Sequence, residues 1–267
     1  MMKIRLFALI AMLMSVCTLA IHAQKGNIEF ADTLVRDICV SNWDKDGDGN
    51  LSYEEAASVT EWNTAFRFNK YIISFDELKY FTGLTHLAPG AFSDCYGINR
   101  ITLPPNIETI DEKAFWSCIN ISHITLPQSL RRLENSCFYH CERMVDLTVP
   151  GGVDSISDQA FMWCQWVQKA TLEEGVSYLG EYSFHMCRSL EEVTLPSTIK
   201  SIGYMAFWGS DAIKIINCKA QVPPKAGSYF FEKRVLMEAM LFVPPGCVDA
   251  YRAAPGWKDF TFISELF

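Results

Sequence analysis

The densest concentration of chemically capable side chains in this 267-residue sequence lies between positions 44 and 55. Asp44, Asp46 and Asp48 alternate with Lys45 and Gly47, and Gly49, Asn50, Ser52 and Glu55 follow. Carboxylates so close together repel one another unless a cation lies among them. The spacing suits a twelve-residue loop with Asp44, Asp46 and Asp48 at its first, third and fifth positions. Gly49, at the sixth, permits a sharp turn. Asn50 offers its backbone carbonyl, Ser52 acts through a water, and Glu55 closes the ring with two oxygens. The donor set is all hard oxygen, so the expected ion is Ca2+. With a single loop, the expected role of the ion is permanent and structural.

Such a loop, of the EF-hand type, needs a helix on either side. Phe30, Leu34 and Ile38 recur at i, i+4 and i+8, which predicts a helix before it. Tyr53 to Val59 supplies the second helical stretch. Residues 24–62 are therefore read as a small helical N-terminal cap. Ahead of it, Lys3 and Arg5 precede an apolar run that begins at Leu6, and Ile21-His22-Ala23 offers a small-residue cleavage site. Residues 1–23 read as an export signal. The apolar stretch is short for a membrane span, so no stable span is expected in the mature chain. The expected location is secreted or cell-surface.

The longest organised region is periodic. Phe92, Phe115, Phe138, Phe161, Phe184 and Phe207 are each separated by 23 residues, and Cys95, Cys118, Cys141, Cys164 and Cys187 trail the first five by three. Between them runs an L-x-x-L-x-L strand pattern, as in Ile98, Ile101 and Leu103 or Leu190, Val193 and Leu195. Pairs such as Ile107 and Ile110 supply two further inward positions. Prolines 104, 127, 150 and 196 end the strands because they cannot donate to a ladder. A fixed period of this length predicts an α/β repeat, a leucine-rich-repeat solenoid of 23-residue coils over residues 63–218. Phe75, Leu78, Leu84 and Leu87 read as a degenerate first coil in the same register. Residues 219–267 read as a C-terminal cap, with a strand at Leu241 to Val243, a helix from Val248, and Trp257 and Phe260 closing the core.

Composition narrows the function. Apolar residues make up 49% and charged residues 20%, as in an ordered protein, and the net charge is −8. No basic footprint for nucleic acid exists. The repeated cysteines read as stacked, buried small hydrophobes rather than a disulfide framework or a metal site, since one ligand per coil does not converge. His86, His123, His140 and His185 fall at four different repeat phases, and no nucleophile has a matched base, so no enzyme is expected. On the exposed strand face, Thr102, Thr125, Thr148, Thr171 and Thr194 form one column. Arg100, His123, Asp146, Lys169 and Glu192 form a second, whose mixed signs predict cross-strand pairing. The position after each phenylalanine is richer in rings. Trp116, Tyr139, His185 and Trp208, with Trp163 and Trp166 nearby, are the candidate ligand-binding residues.

The repeated Ala-Phe-x-x-Cys, as in Ala114-Phe115 to Cys118, and Ile124-Thr-Leu-Pro127 resemble the BspA-type leucine-rich-repeat proteins of bacterial surfaces, found mainly in Bacteroidetes-like bacteria. The ending Val243-Pro-Pro-Gly246 to Gly256-Trp257 is similar to that family's C-terminal segment. The resemblance covers about residues 71–267, with the EF-hand loop as an addition. It implies a non-enzymatic adhesion protein whose partner is a protein or glycan, such as host extracellular matrix or other cells. The alternative is a periplasmic structural or assembly-partner protein.

Overall fold

Alternation of apolar and polar residues along each strand segment fixes which side faces inward. In the computed structural model, which describes residues 26–266, Leu147, Ala170, Val193, Ile216 and Leu241 are buried while their neighbours face out. The export-signal reading of residues 1–23 lies outside the described residues. Six parallel strands form one sheet in chain order: Asp146–Val149, Lys169–Leu172, Glu192–Leu195, Ile215–Cys218, Met240–Val243 and Phe262–Glu265. Its register sets Asp146 beside Lys169, Lys169 beside Glu192, and Glu192 beside Ile215. A second parallel sheet, of seven two-residue strands, runs from His86–Leu87 to Lys225–Ala226. The result is a solenoid-like α/β repeat, and its α-helices are confined to the two ends.

The third side of each repeat is a tight turn around a buried ring. Phe66, Phe92, Phe115, Phe138, Phe161, Phe184, Phe207 and Phe231 form one column, with neighbouring centroids 4.8 to 5.4 Å apart. From Phe92 onward the rings are near-parallel, an offset stack that aromatic quadrupoles favour. Each turn from Phe92 to Phe207 contains two left-handed residues, one on either side of the phenylalanine; Lys113 (φ 58°) and Ser117 (φ 57°) flank Phe115. Non-glycine residues pay about 1–2 kcal/mol for that conformation. Hydrogen bonds to the next repeat hold it: the Phe115 N–H donates to the Cys137 carbonyl at 2.8 Å and the Ser117 N–H to the Tyr139 carbonyl at 2.8 Å.

The cysteine column is a ladder of buried donors. The Cys95 thiol donates to the Phe66 carbonyl at 2.9 Å, Cys118 to Phe92 at 3.0 Å, and Cys141 to Phe115 at 3.1 Å. Cys164 and Cys187 repeat the contact at 3.3 Å. Ser210 stands in the next position of the column, and its hydroxyl donates to the Phe184 carbonyl at 2.8 Å. All the cysteines of the described residues are free thiols, and burial pushes those of Cys95 and Cys187 up to about 12.

Both ends depart from the expected register. Helix α1 spans Thr33–Trp43, capped by Asp32, whose side chain accepts from the Leu34 and Val35 amides. Phe30 therefore precedes the helix. The buried stripe is Val35, Cys39 and Trp43, one residue on from the expected Leu34 and Ile38, and Leu34 is 43% exposed. Helix α2 is Tyr53–Ala57, shorter than the expected run to Val59. In the first repeat, Phe75 pairs with Ile101 rather than occupying the position of Ile98. The earlier repeat carries extra residues after its strand, and a 3-10 helix, Asp76–Tyr80, absorbs them. At the C-terminus, Phe231 continues the ring column, and Trp257 and Phe260 lie buried against Phe230 and Phe231. The Trp257 indole N–H donates to the Pro224 carbonyl at 2.7 Å, so the lid buries no unpaired indole.

The strand face also has a seam. Ile124 was expected in a strand, yet residues 121–126 form none, and a single bridge joins Arg100 to His123. The preceding strand is only Arg100–Ile101, which leaves the segment short of partners.

The buried thiols give a direct check. In native protein, a disulfide-exchange reagent at pH 8 should react rapidly with Cys247 alone, because it is the one described cysteine that is not buried. The other eight should react only after unfolding in guanidinium, and rapid native labelling of several thiols would contradict this packing.

Candidate functional site: an acidic loop and an aromatic turn face

The acidic loop hangs from the end of the ring column. Trp43, the last residue of α1, stacks on Trp62 at 4.8 Å, and Trp62 stacks on Phe66 at 5.5 Å. Asp44 follows immediately. Its two carboxylate oxygens accept the Gly47 amide at 2.8 Å and the Gly49 amide at 2.9 Å. Asp46 accepts the Asp48 amide and Asp48 accepts the Asn50 amide. Gly47 (φ 74°) and Gly49 (φ 84°) take left-handed conformations that fold the loop back on itself. One oxygen each from Asp44, Asp46 and Asp48 lies within 4.8 Å of the others.

The rest of the loop is fixed from outside. Leu51 is buried, and its carbonyl accepts the Ile28 amide at 2.8 Å while the Tyr53 amide donates to Gly26 at 3.1 Å. Ser52 caps α2 in a reciprocal capping box with Glu55. Glu55 also reaches back to the start of the loop and accepts the Lys45 amide at 2.7 Å. Burial acts to raise its pKa, but the amides of Ser52 and Lys45 and the Ser52 hydroxyl outweigh it and hold the carboxylate below its usual range. Asp44, Asp46 and Asp48 thus bring one carboxylate oxygen each close enough together to share a cation. Glu55 sits across the loop as a fixed anion, and Asn50 and Ser52 lie between. Two more carboxylates tie this cap to the first repeat: Asp32 accepts the Ile73 amide at 2.7 Å, and Glu77 accepts the Ala31 amide at 3.0 Å.

The expected aromatic strip divides into separate groups. Trp116 and Tyr139 are half-buried and stack face to face at 3.9 Å, with the Lys113 ammonium 5.7 Å from the Trp116 ring centre. Trp163 is half-buried under the Arg188 guanidinium at 5.5 Å. Trp166 is 51% exposed and faces Arg143 at 5.4 Å. His185 and Trp208 belong to a second cluster. The Tyr182 ring meets His185 at 5.4 Å and Tyr204 at 5.4 Å; Tyr229 meets Tyr204 at 6.3 Å and Trp208 at 5.5 Å. All four contacts are edge-to-face. Burial lowers the His185 pKa, and its Nδ1 is buried without a partner.

Sequence reasoning missed Tyr182, Tyr204 and Tyr229. They sit two or three positions ahead of Phe184, Phe207 and Phe231, whereas the column singled out lay one position behind. The signal was present, but the turn's geometry is needed to show that both sides of the phenylalanine face outward together.

On the strand face the mixed charges pair. Lys169 meets Glu192 at 3.0 Å, and Arg100 meets Asp76 at 2.9 Å. Thr148, Thr171 and Thr194 lie side by side in register. Two histidines face carboxylates at the surface: His86 faces Glu61 at 3.7 Å and His140 faces Glu142 at 3.8 Å.

Against known families, the sequence profile of the BspA type leucine rich repeat region matches in six copies, over residues 64–170 and 154–242. Among solved structures, a leucine-rich-repeat protein of T. pallidum is similar at 22% identity with a TM-score of 0.50, covering 66% of this chain and 74% of that one. A leucine-rich-repeat protein from Bacteroides ovatus is similar at 20% identity with a TM-score of 0.37, covering 69% and 58%. A leucine rich cell surface protein from Faecalibacterium prausnitzii is similar at 18% identity with a TM-score of 0.39, covering 77% and 62%. No curated protein matches the chain.

The closed Trp116–Tyr139 pair should behave as a structural contact. A double-mutant cycle with Trp116→Ala and Tyr139→Ala, read by urea denaturation, should give a coupling of about 0.5–1.5 kcal/mol. Additive effects would show that the stack contributes nothing beyond burial.

Proposed function

The chain belongs to the BspA-type leucine-rich-repeat family, and from that footing we propose that it is an exported, non-enzymatic binding protein that works outside the cytoplasm as an adhesion module. The observation that carries this reading is the concentration of partly exposed aromatic side chains on the turn face, in a stacked group around Trp116 and Tyr139 and an edge-to-face group around Tyr204 and Trp208. Tyr and Trp there offer large contact area at low entropic cost, which is what binding hot spots use. The partner is a protein or a glycan. No described helix is long and apolar enough to cross a membrane.

We further propose that the loop from Asp44 to Glu55 is an EF-hand site for one Ca2+. Asp44, Asp46, Asp48 and Glu55 would supply carboxylate oxygens, Asn50 its carbonyl, and Ser52 a water-mediated contact. The convergence of three aspartates supports this, as does the wholly oxygen donor set. When bound, the ion neutralises the mutual repulsion of these carboxylates. Because Trp43 adjoins Asp44, fixing the loop also fixes the aromatic lid on the first repeat.

Residues 24–267, probed against an array of extracellular-matrix proteins and glycans with calcium and again with a chelator, should retain a ligand that competes in solution. Silence in both buffers would sink the adhesion reading and favour a periplasmic partner. Calcium should raise the melting temperature of the wild type. At a hundredfold excess over its dissociation constant, the ion adds about 2.7 kcal/mol. Asp44→Ala should abolish the shift, and a wild-type melting temperature indifferent to calcium would overturn the ion site.

A further inference from the structure

The outward row of the six-stranded sheet changes character along its length. In register it runs Asp146, Lys169, Glu192, Ile215, Met240 and Phe262. The charged members come first, with Lys169 paired to Glu192. The apolar members lie at the C-terminal end, where Ile215 is 38% and Phe262 47% exposed. That end is also where the sheet stops. Phe262–Glu265 pairs with Met240–Val243 on one side and with no described strand on the other. The Leu266 amide donates to the Val243 carbonyl at 2.7 Å. Backbone groups alternate in direction along a strand, so those of Phe262 and Ser264 face Met240–Val243, while the N–H and C=O of Ile263 and Glu265 point to the open side.

Sheet edges are ordinarily guarded by Lys, Pro or a bulge. This strand has neither Lys nor Pro. Its one charge, Glu265, turns its carboxylate back to accept the Gly246 amide at 2.8 Å, which leaves the edge clear.

We infer that this edge is a self-association surface, on which the same strand of a second copy of this chain pairs antiparallel about a two-fold axis at Ser264. That register sets Ile263 opposite Glu265 of the second copy, and Glu265 opposite its Ile263. Both pairs join residues whose backbone groups face the edge, so each pair exchanges two hydrogen bonds. On the outward face Phe262 meets Leu266 of the second copy, an apolar pair, and Ser264 meets its own twin. Other axes fit less well. An axis at Glu265 sets two carboxylates directly opposite each other. An axis at Ile263 opposes Glu265 to Thr261, whose amide is already bonded to the Leu236 carbonyl.

The opposite end of the array offers no such edge. Ser74 is buried, the Ile73 amide is taken by Asp32, and Phe30 packs against Phe75. With one open edge per copy, the association closes at two instead of growing into a fibre. A single strand pair is small beside a standard interface, so the dimer is weak and depends on concentration.

The test is sedimentation equilibrium of residues 24–267, from dilute to the highest soluble concentration. The wild-type mass should rise toward two copies and stop there. Ser264→Lys and Ser264→Glu each set like charges face to face across the axis. Each alone should associate roughly fivefold more weakly, with an unchanged melting curve in dilute solution, and an equimolar mixture of the two should restore the dimer. Hydrogen exchange on the wild type needs no substitution and decides the matter if the variants fold poorly. The Ile263 and Glu265 amides should slow as concentration rises, while the Leu266 amide stays as it was. A chain that remains monomeric throughout, a dimer tolerant of both charges, or a mass that climbs past two copies overturns the assignment. A monomer that instead captures an unrelated strand-forming peptide at this edge also overturns it, because the edge would then serve a foreign partner. Neither the turn face nor the ion enters these readouts, so the adhesion reading stands or falls separately.

Discussion

Each repeat is held to the next by a buried phenylalanine ring and, beside it, a buried donor aimed at the carbonyl of a neighbouring phenylalanine. Neither half of this contact works in a single repeat, because the ring needs another ring and the thiol needs the preceding turn. The interaction is therefore satisfied only within a stack, which gives the array its nearest-neighbour character. It also explains why the cysteines are unpaired. A disulfide would draw two of these sulfurs together and remove both from their carbonyls. Ser210, in the same column, shows that the position selects a small donor rather than sulfur chemistry.

A stack of this kind has two raw ends, and the buried tryptophans of the described residues lie there. Trp43, Trp62 and Phe81 gather over Phe66 and Phe75 at one end; Tyr251, Trp257 and Phe260 gather over Phe230 and Phe231 at the other. The acidic loop begins one residue after Trp43, so its conformation and the seating of the lid are mechanically linked. At the opposite end the polar tips are satisfied internally: the Tyr251 hydroxyl donates to the Ala220 carbonyl at 2.7 Å.

The periodic centre was readable from spacing because every repeat imposes the same packing demand on the same position. Phe115 and Phe138 could be superimposed on paper and are superimposed in space. The ends were harder for the same reason, since no neighbouring copy constrains them. The stripe of α1 moved by one residue because Asp32, not Phe30, starts the helix. Ala65-Phe66 carries the repeat's turn with Asn69 where a cysteine would stand, so the sequence pattern alone does not mark it. The acidic loop was legible because its spacing is local, within twelve residues. The aromatic face was only half legible. Its rings come from both flanks of each phenylalanine, and linear spacing does not show that a left-handed turn brings those flanks to one surface.

Those turns have a wider consequence. Left-handed positions are usually reserved for glycine, yet here lysine, serine, glutamine, tyrosine, histidine, tryptophan and methionine all occupy them. The conformation is enforced by backbone hydrogen bonds from one turn to the next rather than by the residue's own preference. The backbone is thus indifferent to which side chain it carries at these sites. A lineage could exchange the chemistry of this surface residue by residue, retuning what it grips, without touching the interior that keeps the molecule folded. The two halves already differ in this way, one holding a face-to-face pair under cations, the other a run of edge-to-face rings. They read as two independent inscriptions on the same scaffold.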